Sequence, residues 1–246
     1  MENTDYKIVD FEKYDDLDYS EYTAEFDKIG KDKSAIFFQH NFMSEHDCKK
    51  IHSYLEEYKD DDSFRGGNDK RKKQVAEENL YVLDLMEKYE LLVSKTIKEQ
   101  YVDKYGAKIN LTPTNNSHFV KWVAGMASPL HADNERPDGQ PAFHANFYRL
   151  NLSSLVYIND NFDGGEIEFP GYDLKIKPQA GDLIIFPSNF RHSVLEVKGP
   201  NNRYTMPSWY TFDLPELKLN QDVYDAEDSV ILWKNDGEDY TKTTLF

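Results

Sequence analysis

His131 and Asp133 stand two apart in the stretch PLHADNERPDG, residues 129–139, at the end of a run that reads as a strand. In a strand, residues i and i+2 project from one face, so an imidazole and a carboxylate can meet at one point. A further histidine from a neighbouring strand would complete a set of two imidazoles and one carboxylate. That set can hold Fe(II) by one face of an octahedron and leave the opposite positions open to other ligands. His192, in FPSNFRHSVLEV just after the apolar run DLIIF, is the best placed candidate, and His144, in the loop after the triplet, is the alternative ligand. His40, His46 and His52 lie in or beside the first expected helix and read as solvent-facing or as local caps. His118, two residues before Val120 in an apolar strand, reads as structural. Beyond His192, Arg203 opens the segment RYTMPSWY, where alternation puts it on one face with Thr205. A permanently charged guanidinium fixed in a strand near a metal suits bidentate recognition of a carboxylate. The partner implied is the distal carboxylate of a dicarboxylic cosubstrate.

These residues need a rigid frame. From Asn116 onward the chain breaks into short β-rich segments separated by Gly, Pro, Asn and Asp: SHFVKWV, RLNLSSLVYIND, GGEIEFP, LKIKP, GDLIIFP, HSVLEV and RYTMPSWYTF. Such spacing predicts an antiparallel barrel or double sheet. Gly164 with Gly165, and PQAGD, read as scaffold turns. The preceding third is helical in pattern. A short strand over 35–38 leads to Ser44 and Asp47, a capping-box-like helix start, and Ile51, Tyr54, Leu55 and Tyr58 then mark one helical face. Val82, Leu85, Met86, Tyr89, Leu92, Val93, Ile97 and Tyr101 predict the longest helix, with Gly106 as its stop. Between these helices, the charged, glycine-containing stretch 59–74 reads as a surface loop, either a lid or a linker. Helices first and strands second predict an α+β fold with helices buttressing one face of a β core. Residues 1–34 form an acidic, Tyr-rich arm without periodicity, and 215–246 a tail of mixed polarity.

Composition narrows the function classes. At 246 residues the chain suits one large domain able to bury a substantial core. A net charge of -16 argues against a nucleic-acid partner, because phosphate binding is dominated by Lys and Arg. Cys48 is the single cysteine, so neither an intrachain disulfide nor a cysteine-built metal cluster can form. The acidic N-terminus lacks the pattern of a signal peptide and no apolar run reaches membrane-spanning length. The expectation is a cytoplasmic protein with no membrane partner.

The order His131-Ala132-Asp133, then YINDNFDGGEIEFP, KPQAGDLIIFP, His192 and Arg203 resembles the 2-oxoglutarate/Fe(II)-dependent dioxygenases, specifically their prolyl 4-hydroxylase-like branch. The resemblance covers roughly residues 117–212, and AIFFQHNFMSEHDCKKIHSYLEE is similar to the family's N-terminal entry. It implies a double-stranded β-helix, the jelly-roll or cupin-like core, within a single domain. The expected parts are an arm (1–34), a supporting strand and helices (35–115), a catalytic core (116–214) and a tail (215–246). It implies iron on His131, Asp133 and His192. It places 2-oxoglutarate on Arg203 with help from the Tyr157 hydroxyl, in a pocket that Thr205 and Trp122 also line. O₂ is the other cosubstrate and ascorbate a further candidate cofactor. Trp122 in WVAG replaces a family tyrosine, so an indole that only donates stands where a phenol could do both. Arg203 replaces the lysine of collagen-type members, and Pro207 falls where a small hydroxyl residue is common.

The implied reaction couples decarboxylation of 2-oxoglutarate to succinate and CO₂ with hydroxylation of an unactivated C–H bond. A prolyl residue in a protein or peptide is the first expectation for substrate, and a free amino acid or small metabolite the alternative. Arg136, Tyr148, Arg149 and Trp209 are the substrate-contact candidates, beside a long connection after Asp133. A nucleic-acid demethylase of the same superfamily would carry a second arginine where Trp209 stands. A metal-free jelly-roll binding module is the remaining alternative, and the joint presence of His131, Asp133, His192 and Arg203 argues against it.

Overall fold

The computed structural model describes residues 33–59, 69–104, 110–113, 117–134, 152–213, 230–235 and 240–245. Lys33–Ala35 make one 3-10 turn, and strand β1 spans Phe37–Gln39, two residues later than the apolar pattern suggested. Helix α1, Glu45–Glu57, begins where expected: the Ser44 hydroxyl accepts the Asp47 amide at 3.1 Å. Its Ile51, Tyr54 and Leu55 are buried.

The charged stretch expected as a loop is in part ordered framework. Residues 60–68 lie outside the described residues, but Asp69–Arg71 form strand β2 and Lys72–Glu78 helix α2. Lys70 explains why so polar a sequence folds inward. It is fully buried, with Nζ 2.8 Å from a Glu78 carboxylate oxygen and 3.6 Å from the centre of the Tyr58 ring. A buried ammonium is tolerated when paired and faced by aromatic rings. Helix α3, Leu80–Ile97, is capped by the Asn79 side chain, which accepts the Val82 amide at 3.1 Å, and runs into a π-helical turn, Lys98–Asp103. Its buried face is Val82, Leu85, Met86, Tyr89, Val93 and Ile97, continued by Tyr101. Gly106, the expected stop, lies outside the described residues.

The remaining strands are β3 (Asn110–Pro113), β4 (His118–Trp122), β5 (Ser128–His131), β6 (Leu152–Tyr157), β7 (Asp163–Gly164), β8 (Ile167–Phe169) and β9 (Leu174–Ile176). They continue with β10 (Leu183–Pro187), β11 (His192–Val194), β12 (Val197–Lys198) and β13 (Arg203–Asp213). A larger antiparallel sheet has the order β1-β10-β6-β13-β4-β2, with β3 also paired to β13. A smaller one has the order β5-β11-β8-β9. The two faces of the larger sheet have different tasks. Val156, Ile185, Tyr204, Met206 and Tyr210 pack with the helices in one apolar cluster. Tyr157, Ile184 and Phe186 face the smaller sheet and pack with Ile167 and Phe169 in a second. The result is the expected α+β double-stranded β-helix with helices on the outer face of one sheet.

Pro207 sits in the middle of β13 and cannot donate to a neighbour. The ladder to β4 runs from Arg203 to Thr205, while the pairing with β6 continues from Thr205 to Tyr210. In the tail, Val230–Asn235 (β14) pairs with Tyr240–Leu245 (β15) as a hairpin, which the mixed polarity of that segment did not indicate. Among the described residues no helix is long and apolar enough to cross a membrane.

Candidate active site

Register brings the two histidines together. His192 on β11 lies directly opposite His131 on β5, and the ring centroids are 4.5 Å apart. Strand β5 ends at His131, so Asp133 reaches the same point from a turn beyond the strand end. Strand alternation therefore pointed to two residues that the structure does bring together, but by a different local geometry. Asp133 is held there by contacts across the molecule: its Oδ2 accepts the Ser153 hydroxyl at 2.5 Å and the Trp209 indole N–H at 3.0 Å.

The hydrogen bonds decide what each atom offers. His131 Nδ1 is 2.8 Å from the Pro129 carbonyl and His192 Nδ1 is 3.0 Å from the Phe190 carbonyl. A carbonyl only accepts, so both Nδ1 atoms donate, and in the neutral rings that bind a metal both Nε2 atoms turn a lone pair inward. They lie 3.4 and 3.7 Å from Asp133 Oδ1, while Oδ2 is occupied by its two donors. One ligand atom from each residue fits within 4.8 Å of the others. Three acceptor atoms converging with no hydrogen between them repel one another unless a cation lies among them. Burial pushes the Asp133 carboxyl up, but with the imidazoles protonated and no cation between them, His131, His192, Ser153 and Trp209 outweigh it and bring it to about 2. It is therefore a carboxylate at neutral pH. Two imidazoles and one carboxylate fit a divalent metal with open coordination positions.

A second feature lies on the same face of the larger sheet. Arg203 is 1% exposed, yet among the described residues no carboxylate pairs with it. Its Nη2 donates to the Tyr157 hydroxyl at 3.4 Å, and its guanidinium carbon lies 5.1 Å from the Trp122 ring centre and 5.0 Å from that of Tyr157. Trp122 is its direct cross-strand partner. The Nε–H of Arg203 and the indole N–H of Trp122 are buried without an acceptor among the described residues. A buried cation beside unsatisfied donors is a site prepared for an anion. Burial lowers the Arg203 pKa from its ordinary value and raises that of Tyr157. Thr205, also buried, pairs with Tyr157 on one side and Val120 on the other.

Of the expected site residues, the structure unites His131, Asp133 and His192 in one cluster, and Arg203, Tyr157, Trp122 and Thr205 in another. Trp209, a substrate candidate in the sequence, instead holds Asp133. Arg136, His144, Tyr148 and Arg149 lie outside the described residues. Sequence reasoning missed Ser153 and Ser188, which hydrogen-bond each other at 2.8 Å behind Asp133. The available signal was a serine pair inside the otherwise apolar strand LSSLVY. It also treated Gly165 as plain scaffold. At φ +64°, a Cβ there would come within 2.9 Å of the Arg203 Cδ and 3.0 Å of the Phe162 ring.

Comparison with known proteins agrees with this geometry. Residues 117–211 match the sequence model of the 2OG-Fe(II) oxygenase superfamily. Over that stretch the chain is similar to the 2OG-Fe(II) oxygenases. It is 30% identical over 113 residues to a PKHD-type hydroxylase of Prochlorococcus marinus, covering 44% of this chain and 47% of the relative. It is 35% identical over 103 residues to prolyl 3-hydroxylase 2 of Mus musculus, covering 36% of this chain and 14% of the relative. The alignments thus span less than half the length of these relatives. Among solved structures, a prolyl-4-hydroxylase of Pseudomonas putida superposes with a TM-score of 0.50 at 16% identity, covering 77% of this chain and 97% of that one. A prolyl hydroxylase from Trichoplax adhaerens, in complex with a hypoxia inducible factor oxygen degradation domain peptide fragment, gives a TM-score of 0.51 at 17% identity. It covers 73% of this chain and 84% of the other. At such identities the superpositions speak for the fold alone, which is the 2OG oxygenase double-stranded β-helix.

Proposed function

We propose that the protein is a 2-oxoglutarate- and Fe(II)-dependent dioxygenase that hydroxylates a prolyl residue in a protein or peptide, with succinate and CO₂ as co-products. The observation that carries this reading is the pairing of a three-acceptor cluster with a buried arginine that has no carboxylate partner among the described residues, inside one β-helix. In it His131, Asp133 and His192 hold the metal, and Arg203, Tyr157, Trp122 and Thr205 receive the cosubstrate. When bound, iron with 2-oxoglutarate and O₂ supplies the oxidising power for attack on an unactivated C–H bond. The chain's residues do the positioning. The backbone carbonyls of Pro129 and Phe190 fix both imidazoles in the tautomer that presents Nε2, and Ser153 and Trp209 turn one Asp133 oxygen toward them. Arg203 holds the distal carboxylate of the cosubstrate by charge-assisted hydrogen bonds, and the rings of Trp122 and Tyr157 keep that bond away from water. Phe169 and Phe186 pack around His192, with ring centroids 5.7 and 4.7 Å away, and exclude solvent from the metal on that side.

The prolyl substrate is supported by the prolyl 3-hydroxylase among the sequence relatives. The test is a succinate-coupled screen of proline-containing peptides against free amino acids, with mass detection of one added oxygen. The expected result is oxygen insertion at proline in a peptide, with stoichiometric succinate, lost in Asp133→Ala. Oxidation of free amino acids alone overturns the peptide assignment. Undiminished turnover in Asp133→Ala overturns the metal site.

A further inference from the structure

The contacts that orient Asp133 extend beyond Trp209 to the edge of the sheet. The indole of Trp209 stacks on the imidazole of His118, with ring centroids 5.7 Å apart and planes 25° from parallel. His118 is buried, and β2 holds its ring edge. Arg71 Nη1 lies 3.2 Å from Nδ1 and Asp69 Oδ1 lies 3.7 Å from Nε2, while Arg71 and Asp69 pair with each other at 2.9 Å. An arginine only donates, so His118 Nδ1 accepts and the ring hydrogen sits on Nε2, facing the Asp69 carboxylate. Asp69 pairs with Val120 and Arg71 with His118 across the ladder. Alternation then sets Asp69, Arg71 and His118 on the face that carries Val120, Trp122 and, through the ladder to β13, Arg203. This is the site face, opposite the one on which Lys70 packs against the helices.

We propose that Asp69, Arg71 and His118 are positioning residues for the metal-binding carboxylate, acting through Trp209. A carboxylate on a turn can swing either oxygen toward a metal, and an indole can turn its N–H away by rotating its plane. With the His118 ring clamped edge-on by Arg71 and Asp69, the stacked indole plane is set and its N–H aims at Asp133 Oδ2. Engaging Oδ2 leaves Oδ1 to face the two Nε2 atoms. Partners of this kind behind metal ligands typically change affinity by about 10- to 100-fold when removed. The inference rests on the assignment of His131, Asp133 and His192 as ligands.

Its test is Co(II) binding to metal-free protein, read from the visible d–d absorption and needing no turnover. Trp209→Phe is expected to weaken binding about tenfold. His118→Ala should weaken it by a smaller factor, about threefold, in the otherwise unchanged protein and by nothing further when combined with Trp209→Phe. His118→Phe keeps a flat, buried ring but loses the clamp, so it carries the test if the alanine variant does not fold. It should match the threefold loss. Equal losses with and without Trp209 overturn the proposal, because a general structural effect does not pass through the indole. So does unchanged affinity in His118→Phe. If His131→Ala binds Co(II) as tightly as the unaltered protein, the ligand assignment itself fails and this inference fails with it.

Discussion

Arg203 is held by the faces of two aromatic rings and one phenol hydroxyl, and among the described residues it has no carboxylate. Its proposed partner is the cosubstrate, and Arg203→Ala should raise the 2-oxoglutarate concentration needed for half-maximal succinate formation. A charge-assisted hydrogen bond contributes about 1.5–3 kcal/mol, so an increase of about 10- to 100-fold is expected. An unchanged requirement would move the cosubstrate elsewhere. Gly165→Ala should act through the same side chain. A Cβ at positive φ pressing on the Arg203 Cδ displaces the guanidinium stem. The 2-oxoglutarate requirement should rise severalfold while Co(II) affinity, set by other residues, stays the same. Equal loss of both would mean a collapse of the core and not a local shift. At this scale the sequence was highly legible: the residues of the candidate metal cluster and the buried arginine could be picked out from residue type and order. Ser153 was not, because a serine in a strand carries no signature of the carboxylate it serves from 20 positions away.

At the scale of elements, the helices are tied to each other by a small polar node. Asp47, in the first turn of α1, accepts from Lys88 Nζ at 2.8 Å and from the Tyr89 hydroxyl at 2.7 Å, both on α3. Burial pushes its carboxyl up, but the hydrogen bonds from Lys88, Tyr89 and Ser44 outweigh that and hold it below the ordinary value. A carboxylate depressed in the folded state adds stability above its unfolded pKa and loses it as pH falls through the folded one. Asp47→Asn should therefore lower the urea stability by about 1–2 kcal/mol at pH 7, and by much less once pH falls through the depressed folded-state pKa of Asp47. A pH-independent difference would show that packing, not charge, is what the substitution removes. Helix faces and strand texture were readable from periodicity. The 69–74 segment was not, since its charges look like a solvated loop until Lys70 is seen buried against Glu78 and Tyr58. The tail hairpin was equally hidden, because its pairing is made by backbone and leaves no clear alternation.

For the whole molecule, two facing sheets close the site while the helices stiffen the outer face of the larger one. This division explains why residues distant in sequence converge: β5 and β11 bring the histidines, β6 and β13 the arginine pocket and the Asp133 supports. A cation among three converging acceptors should stabilise the entire fold. A divalent metal at 100 times its Kd contributes about 2.7 kcal/mol, which for a chain of this size raises Tm by about 5–10 °C. Thermal scans with Mn(II) should show that shift in the unaltered protein and lose it in His192→Ala. An equal shift in both would place the stabilising metal elsewhere.

The most direct test of the whole account joins the two halves of the site without turnover. Under anaerobic conditions, Fe(II) protein is titrated with 2-oxoglutarate and followed by visible absorption. A charge-transfer band that appears only with both additions, vanishes in Asp133→Ala and needs far more 2-oxoglutarate in Arg203→Ala is the predicted result. No band in the unaltered protein, or one indifferent to Asp133 and Arg203, would contradict it.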